Sequence, residues 1–424
     1  MNRILVVTII VAVVAAAGSS SAGYFSEVDE IIAGNAAGIG ARQLAMGGAG
    51  VMANNGAALF YNPANLTRVP RIELIGGLSY QKFENTIGTQ PQGSGSIIST
   101  EGSRNNTRVN TVILTMPYPT YRGSLVFAMG VARSADFDRI SSFDYVEGTT
   151  TIREEALESG GLNEWAFGFG IDLSPRISFG SALMVYSGKH EFSLYSDKYI
   201  GTMLRDRLEQ LLDYKYLGLG GRLGLSFQVS PYLALGLAAE LPVDLNVEQT
   251  GTEIINSEVS YLYPVEYDIR KPFVFSAGLA SQWNLLTLTA EMDYTDWTQL
   301  KYSDNRLMEA YNNQLRETYR EVVRYRFGGE YTFPTLGVTL RGGYFNDPLP
   351  YEERFGFSPG DRDGFSFGCG FLIDQVMMLD LAFVRGDYTE DYILEPVDLD
   401  LNNDMILNEE IKINRLYLTA SYRF

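Results

Sequence analysis

The sequence predicts an all-β fold, a 14-stranded antiparallel transmembrane β-barrel with an N-terminal hatch (plug) inside the lumen. Three observations predict this fold. Segments of about ten residues with alternating apolar and polar side chains recur along the chain. The connections between these segments are alternately long and short. The last segment is aromatic-rich and ends on Phe424, as the closing strand of such a barrel often does.

The first 22 residues have the features of an export signal. Arg3 supplies a positive charge, an apolar run extends from Ile4 to Ala17, and small residues follow up to Ala22. This run is too short to span a bilayer comfortably but suits a secretory signal peptide. We therefore expect residues 1–22 to be removed. The alternative, an uncleaved anchor helix, is disfavoured by the length of the run.

Residues 23–70 do not alternate and are rich in Gly and Ala. This composition favours small helices and close approach of backbones over strands. A barrel of this size otherwise leaves a water-filled hole, so we expect this segment to form a hatch within the lumen. The barrel itself is then predicted over residues 71–424.

Fourteen segments share the period-2 alternation of barrel strands. They are residues 71–83, 108–117, 124–134, 162–173, 177–192, 216–229, 233–243, 273–283, 286–295, 323–331, 337–345, 364–372, 378–388 and 414–424. The connections predicted as long loops are residues 84–107, 135–161, 193–215, 244–272, 296–322, 346–363 and 389–413. An even strand number places both chain ends on the periplasmic side of the barrel.

Charges within the strands keep to one face. In 286–295, Glu291 and Asp293 share a face, while Leu288 and Met292 lie on the other. A lipid-facing charge at mid-bilayer costs about 2–4 kcal/mol, so the charged face is predicted to point inward. The same separation appears in four further strands, 216–229, 323–331, 378–388 and 414–424. The faces of 177–192 cannot be assigned from the sequence.

Composition excludes several classes of function. Acidic residues number 51 against 33 basic ones, a formal net charge of −18, which argues against a nucleic-acid partner. One cysteine excludes an internal disulfide framework and a cysteine-based zinc site, and one histidine excludes a multi-histidine metal site. No cofactor is predicted.

Several short motifs lie in the predicted hatch, in a central hairpin and in a late strand. They are Gly40–Gly50, Ala57–Leu66 with Asn62-Pro63-Ala64, Phe275–Leu279, Asp293–Trp297 and Arg341–Tyr344. In these motifs the chain resembles the FadL/OmpP1/TodX family of outer-membrane transporters for hydrophobic compounds, and the resemblance spans nearly the whole mature chain. The family fold, a fourteen-stranded barrel with an N-terminal hatch, agrees with the strand count made from the alternation.

The resemblance implies passive uptake of hydrophobic compounds such as long-chain fatty acids or aromatic hydrocarbons. In the family, the substrate is captured in an apolar barrel pocket, the hatch moves, and release is lateral, through a gap at an inward kink of the third strand. The family's hatch motif maps onto Asn62, Pro63 and Ala64, which could equally form a plain structural turn. The N-terminal aromatics Tyr24 and Phe25 would line the pocket, or form an inert arm.

The kink maps onto Arg133, Ser134 and Ala135, although the Pro-Phe-Gly that some members carry after this strand is missing.

The resemblance also leaves a second function open. Some barrels similar to this family serve as surface scaffolds or secretion accessory proteins without small-molecule flux.

An enzyme is not predicted. His190 lies at the extracellular end of a strand near Ser187, but residues i and i+3 of a strand face opposite sides and cannot act together. We therefore interpret His190 as a residue of the membrane interface.

The last long connection is strongly acidic, with eight carboxylates and no Lys or Arg between residues 389 and 411. Within it, one set of oxygen-bearing residues falls at positions 1, 3, 5, 7 and 12 of a calcium-binding loop: Asp398, Asp400, Asn402, Asp404 and Glu409. This set is a weak candidate for a divalent-cation site. The alternative is a solvated acidic loop.

The predicted location is the bacterial outer membrane, and the predicted partners are its lipid and a hydrophobic small molecule. We expect a monomer, because a closed barrel has no free strand edge.

Overall fold

The computed structural model describes residues 38–90, 96–98, 100–302, 309–350, 361–394 and 405–424. Within these residues, nineteen strand segments form one antiparallel sheet. They are β1 Glu73–Gln90, β2 Ser96–Ile98, β3 Thr100–Tyr118, β4 Leu125–Asp136, β5 Arg139–Glu147, β6 Thr150–Ser174, β7 Ile177–Ile200, β8 Met203–Ser230, β9 Leu233–Glu240, β10 Val243–Ile255, β11 Glu258–Lys271, β12 Val274–Trp283, β13 Leu286–Asp296, β14 Lys301–Tyr302, β15 Glu321–Phe333, β16 Val338–Asp347, β17 Arg362–Ile373, β18 Met377–Leu394 and β19 Met405–Arg423.

The sheet closes on itself, because β1 pairs with β3 on one side and with β19 on the other. Four strands of the barrel are interrupted and consist of two segments each, β4–β5, β9–β10, β11–β12 and β13–β14, and the described segments β2 and β3 together belong to one further strand. Pro242 and Pro272 lie at two of these breaks, where a residue without an N–H cannot continue the ladder. The result is the predicted closed barrel of 14 antiparallel strands.

Helices are few and short in the described residues. Residues 38–69 hold two helices and a 3₁₀ turn: α1 Ala41–Leu44, α2 Ala58–Tyr61 and Pro63–Arg68. A second 3₁₀ turn, Trp297–Gln299, and the longer helix α3, Glu309–Thr318, follow β13. In the part of the chain that the structure describes, no helix is both long and apolar enough to cross a membrane.

The predicted faces are confirmed. On β13, Glu291 and Asp293 are buried while Leu288 and Met292 are exposed. On β7, which the sequence leaves unassigned, residues of even number, such as Met184 and Tyr186, are buried, so this face points into the lumen. The outward face carries apolar side chains that the lipid solvates.

Five of the seven predicted long loops are wrong in whole or in part. Residues 84–107 include the end of β1 and the start of β3, and residues 389–413 include the end of β18 and the start of β19. The other three are wrong in kind. Residues 135–161, 193–215 and 244–272 continue mostly as strands, and the chain reverses only at residues 148–149, 201–202 and 256–257. The apolar alternation ends where the outward face leaves the lipid and becomes polar, although the backbone pairing goes on. The sequence signal therefore marks only the membrane-spanning part of each strand.

Candidate functional site

The described part of the hatch, residues 38–69, lies inside the barrel. Its backbone amides bond to side chains on β1, β13, β17 and β19, which belong to one half of the closed sheet, and its 3₁₀ turn Pro63–Arg68 contacts β6, β7 and β8 in the other half. A segment held from both halves of a closed sheet must cross its lumen. The bonds are Ala41 N to Thr419 Oγ1 (3.0 Å), Gly47 N to Ser366 Oγ (2.8 Å), Val51 N to Glu291 Oε2 (2.6 Å) and Gly56 N to Glu73 Oε2 (2.8 Å).

The Asn-Pro-Ala motif joins α2 to the 3₁₀ turn and is fully packed. Asn62 has an extended backbone, and its side-chain oxygen caps the turn by accepting from the N–H of Ala64 at 3.1 Å. Its amide nitrogen donates to the carbonyl of Leu225 on β8 at 3.0 Å. Pro63 occupies the first position of the turn, where its missing N–H has no consequence. The motif is thus both a cap and an anchor to the wall.

Two wall glycines allow this close approach. A Cβ on Gly180 of β7 would lie 2.3 Å from the nitrogen of Ala64, and a Cβ on Gly224 of β8 would lie 2.0 Å from Oδ1 of Asn62. Any side chain at these positions would push the motif away from the wall.

A chain of ion pairs fixes the opposite end of the hatch. Arg42 of α1 makes a two-point contact with Glu330 of β15, with distances of 2.9 and 3.0 Å. Arg341 of β16 bonds the same Glu330 at 2.7 Å and Asp380 of β18 at 2.7 Å. Charge-assisted bonds of this kind are among the stronger polar contacts. They tie the hatch to β15 and, through Glu330 and Arg341, to β16 and β18.

A cavity of about 170 Å³ lies between the hatch and the wall. Its apolar lining includes Ile39 and Phe60 of the hatch together with Leu162, Val274 and Trp297 of the barrel. Two residues of the predicted kink, Ser134 and Ala135, also line it. The structure therefore brings part of the kink and the hatch to one space.

Eight of the nine charged residues that line the cavity are paired with one another; the ninth is Glu164. Glu240 accepts from Lys271 Nζ at 3.1 Å and from the hydroxyl of Tyr186 at 3.0 Å, and it also pairs with Arg222. Arg326 is 3.3 Å from Glu291 and also pairs with Asp293, and Arg324 pairs with Asp347. Pairing of this kind lets charges remain buried in the lumen.

The third barrel strand is broken beside the cavity. The ladder between β3 and β4 runs only from Tyr118–Leu125 to Thr111–Ala132. Pairing of β4 with β6 shifts register between Arg133 and Ala135, which leaves Ser134 as a bulge. The chain then turns inward at Phe137, whose ring packs 5.7 Å from that of Tyr216 in the lumen.

Ion pairs close the space that this break leaves. Arg108 of β3 makes a two-point contact with Asp138, at 2.8 and 3.1 Å. Arg133 pairs with Asp136 and donates to the carbonyl of Gly160. The predicted kink residues thus lie at an interruption of the wall, and the role of that interruption in release stays a prediction.

Apolar side chains pack in the lumen beside and beyond the cavity. One buried cluster extends from Leu59 and Phe60 of the hatch to Phe143 on β5, Phe192 on β7 and Ile411 on β19. This cluster occupies part of the lumen on the extracellular side of the cavity.

His190 is not at the membrane interface, and that interpretation is wrong. Its side chain points into the lumen, is 1% exposed, and places Nε2 2.9 Å from Oε2 of Glu158, which is also 1% exposed. The ring stacks on Tyr214 at 5.2 Å and meets Phe137 edge-on at 5.3 Å. Ser187 faces outward and accepts from the indole of Trp165, as the strand geometry requires.

Other predicted site residues lie outside the described residues: Tyr24, Phe25, Asp398, Asp400, Asn402 and Asp404. Glu409, the last residue of the candidate cation loop, is described and buried. Its carboxylate accepts from Asn85 at 2.6 Å and lies 3.6 Å from Arg139, so it faces the lumen. Among the described residues no group of three or more His, Cys, Asp or Glu could hold a metal ion.

Sequence reasoning missed the Glu240 cluster and Tyr61. The hydroxyl of Tyr61 donates to the carbonyl of Ile39 at 3.0 Å, and the ring lines the cavity. Arg222 on the inward face of β8 was a usable signal, because an inward charge needs a partner of opposite sign. Its partner Glu240 lies at the end of the adjacent strand.

A closed barrel of 14 strands, with a hatch across the lumen and a cavity between the two, defines a class of bacterial outer-membrane transport protein. The family model of outer membrane protein transport proteins (OMPP1/FadL/TodX) matches residues 12–424, and the chain belongs to that family. Its members are transporters or channels rather than enzymes, and they carry hydrophobic compounds.

Solved structures share the fold at low sequence identity. A Pseudomonas aeruginosa FadL homologue is 15% identical, with 91% of this chain and 98% of that chain covered and a TM-score of 0.64. The P. putida toluene transporter TodX is 16% identical, with 92% and 99% covered and a TM-score of 0.57. The Ralstonia pickettii toluene transporter TbuX is 15% identical, with 92% and 99% covered and a TM-score of 0.56. Comparison with curated protein sequences finds no match.

Proposed function

We propose that this protein carries compact, uncharged hydrophobic molecules of about one aromatic ring across the outer membrane, in preference to long-chain fatty acids. The volume of the cavity, about 170 Å³, carries this proposal. An apolar cavity of about 150 Å³ engineered in another protein binds benzene, so a single ring suits a space of this size. A long acyl chain would extend well beyond it.

The charges of the cavity support an uncharged substrate. Arg222 and Lys271, the cations at one side, are both paired with Glu240. A fatty-acid carboxylate would have to displace Glu240 or lie beside it, and like charges at close range repel. A neutral ring meets no such competition. Two of the structural relatives are described as toluene transporters, which is consistent with this choice.

The proposed route leads from the cavity to the bilayer. Ile39 and Tyr61 of the hatch and Ser134 and Ala135 of β4 line the same space, so movement of the hatch could admit a molecule to the interrupted wall. Release sideways is favourable, because an apolar molecule gains free energy on leaving water for lipid. In this proposal the Arg108–Asp138 pair is the last contact to open.

The second candidate is a scaffold role without flux. The observation that favours it is the buried apolar cluster that occupies part of the lumen on the extracellular side of the cavity. A barrel that never opens would keep this packing.

Mass spectrometry of small molecules that co-purify with the membrane-extracted protein tests the proposal. Displacement should then be measured with toluene and with palmitate. We expect an apolar ligand at stoichiometric amount that toluene displaces and palmitate does not. Selective displacement by palmitate would overturn the substrate class. Absence of binding by either compound would favour the scaffold role.

A further inference from the structure

The outer surface of the barrel carries a basic depression that transport of hydrophobic molecules does not use. Its volume is about 600 Å³, and it spans β3 to β10. Four of its lining residues are basic, Arg108, Arg133, Lys189 and Lys215, and one is acidic, Glu248. This excess of positive charge stands out on a chain with a formal net charge of −18.

The two lysines lie directly opposite each other on adjacent strands, Lys189 on β7 and Lys215 on β8. Both are exposed, and like charges at such positions destabilise a sheet. Lys215 reaches one carboxylate, that of Glu248 at 3.8 Å, in a pair whose side chains are 63% and 57% exposed. Lys189 makes no ion pair with any residue that the structure describes. The charge of Lys189 is therefore less neutralised than that of Lys215, and the next carboxylates on the same face, Glu191 and Asp213, lie one pleat further from the membrane.

A third lysine on the outward face, Lys412, has a carboxylate opposite it on both neighbouring strands. Lys412 on β19 lies opposite Glu84 on one neighbouring strand and opposite Asp387 on the other. Its charge is balanced from both sides. Lys215 lies opposite Glu248 on β10, but Lys189 lies between Lys215 and Gly161 and has no carboxylate opposite it on either neighbouring strand, which suggests that a negative group from outside the protein balances it.

The position of Lys189 and Lys215 along the barrel axis identifies the source of this negative group. Along the outward face of β8, Lys215 follows the exposed Leu219 and Leu217 directly. Trp165 on β6, which is 55% exposed, lies level with Leu219 and marks the extracellular end of the apolar belt, where indole rings concentrate. The lysines therefore lie at the level of lipid headgroups in the outer leaflet.

Arg108 and Arg133 complete the site from its inner side. Both are held in place, Arg108 by Asp138 and Arg133 by Asp136. Gly161 and Gly188 also line the depression and add no side chain to it. A headgroup can thus settle against the wall next to two cationic side chains that are free to adjust.

We propose that Lys189 and Lys215 bind the phosphate of an outer-leaflet lipid headgroup. Ammonium groups are good phosphate ligands, and their bonds to phosphate are charge-assisted. The site lies beside the interrupted wall of β4, so a bound lipid would cover the outside of that interruption.

Binding to lipid A with and without its phosphates, measured by native mass spectrometry on protein in nanodiscs, tests this inference. The double variant Lys189→Gln/Lys215→Gln should bind phosphorylated lipid A about thirtyfold more weakly than wild type, since each of the two lysines near a charged membrane contributes about 1 kcal/mol. Lipid A without phosphates should bind wild type and variant equally weakly. Lys412→Gln is the matched control and should bind phosphorylated lipid A as wild type does.

Two results would overturn the inference. One is undiminished binding of phosphorylated lipid A by the double variant. The other is equal competition by millimolar inorganic phosphate, which would show a free-anion site instead of a lipid site. The variant Lys189→Arg/Lys215→Arg should retain binding, because it keeps both charges. None of these results depends on whether toluene is transported.

Discussion

Arg42 of the hatch and Glu330 of β15 form a two-point ion pair, with Nη2 to Oε1 at 2.9 Å and Nε to Oε2 at 3.0 Å. The side chain of Glu330 is only 9% exposed and also accepts from Arg341 at 2.7 Å. The hatch is therefore fastened to the wall through a carboxylate that the wall itself holds in place. Any movement of the hatch at this end has to break the contact.

Replacement of Arg42 by Met should loosen the hatch without unfolding the barrel. Glu330 keeps Arg341, so the loss should be smaller than for a fully orphaned charge, about 2 kcal/mol of local stability. Hydrogen exchange of residues 38–69 should become faster, while exchange in the strands stays unchanged. The double variant Arg42→Met/Glu330→Gln should exchange much as the single variant does, and strictly additive effects would show that the two residues do not interact.

Replacement of Gly180 or Gly224 by Ala should displace the Asn-Pro-Ala motif. A Cβ at either position would lie within 2.3 Å of the motif, and overpacking of this kind costs about 1–3 kcal/mol. The midpoint of thermal unfolding should fall, as followed by gel mobility of the heated protein. Gly76→Ala is the control, since a Cβ there meets nothing within 4 Å. Equal midpoints for all three variants would contradict the close packing described here.

A bulky residue at Ser134 or Ala135 should reduce uptake. Ser134→Trp or Ala135→Trp would fill the space where β4 leaves its ladder with β3 and faces the cavity. Uptake of toluene by cells should drop several-fold, while the amount of folded protein at the surface stays constant. Met129→Trp, on the lipid-facing side of the same strand, should have no effect. Normal uptake by both kink variants would argue against this exit route.

Removal of His190 alone should destabilise the barrel more than removal of His190 and Glu158 together. His190→Leu leaves Glu158 buried opposite an apolar group, and orphaning one partner of a buried pair costs about 3–5 kcal/mol. The double variant His190→Leu/Glu158→Leu replaces the pair by apolar packing and should lose little stability. Unfolding in urea measures both. A larger loss in the double variant than in the single one would show that the pair is not the source of the effect.

The sequence predicts the fold well because membrane strands are constrained on both faces. On β13, for example, lipid excludes charge from the face of Leu288, while the lumen accepts Glu291. The strand number, the closure and the inward face all follow from that constraint. Outside the bilayer this constraint does not act, and the sequence therefore does not show that β7 continues to Ile200.

The site was less predictable, because it depends on contacts between distant segments. Ser134 could be assigned to an interruption by resemblance, but its place beside Ile39 required the packed hatch. The pairing of Glu240 with Arg222 and Lys271 needs three strands in register. His190 was misplaced because β7 mixes polar and apolar residues on both faces, so parity alone did not say which side was the lumen.

Flux of toluene into proteoliposomes tests whether single-ring hydrophobic compounds pass through the cavity. Wild type is compared with a variant whose cavity is filled. Val274→Trp fills the cavity from β12, and Phe275→Trp, on the lipid side of the same strand, is its matched control. We expect wild type and Phe275→Trp to carry toluene faster than palmitate. Val274→Trp should reduce toluene flux to the level of protein-free vesicles. Unchanged toluene flux through Val274→Trp, or faster flux of palmitate than of toluene through wild type, would contradict these expectations.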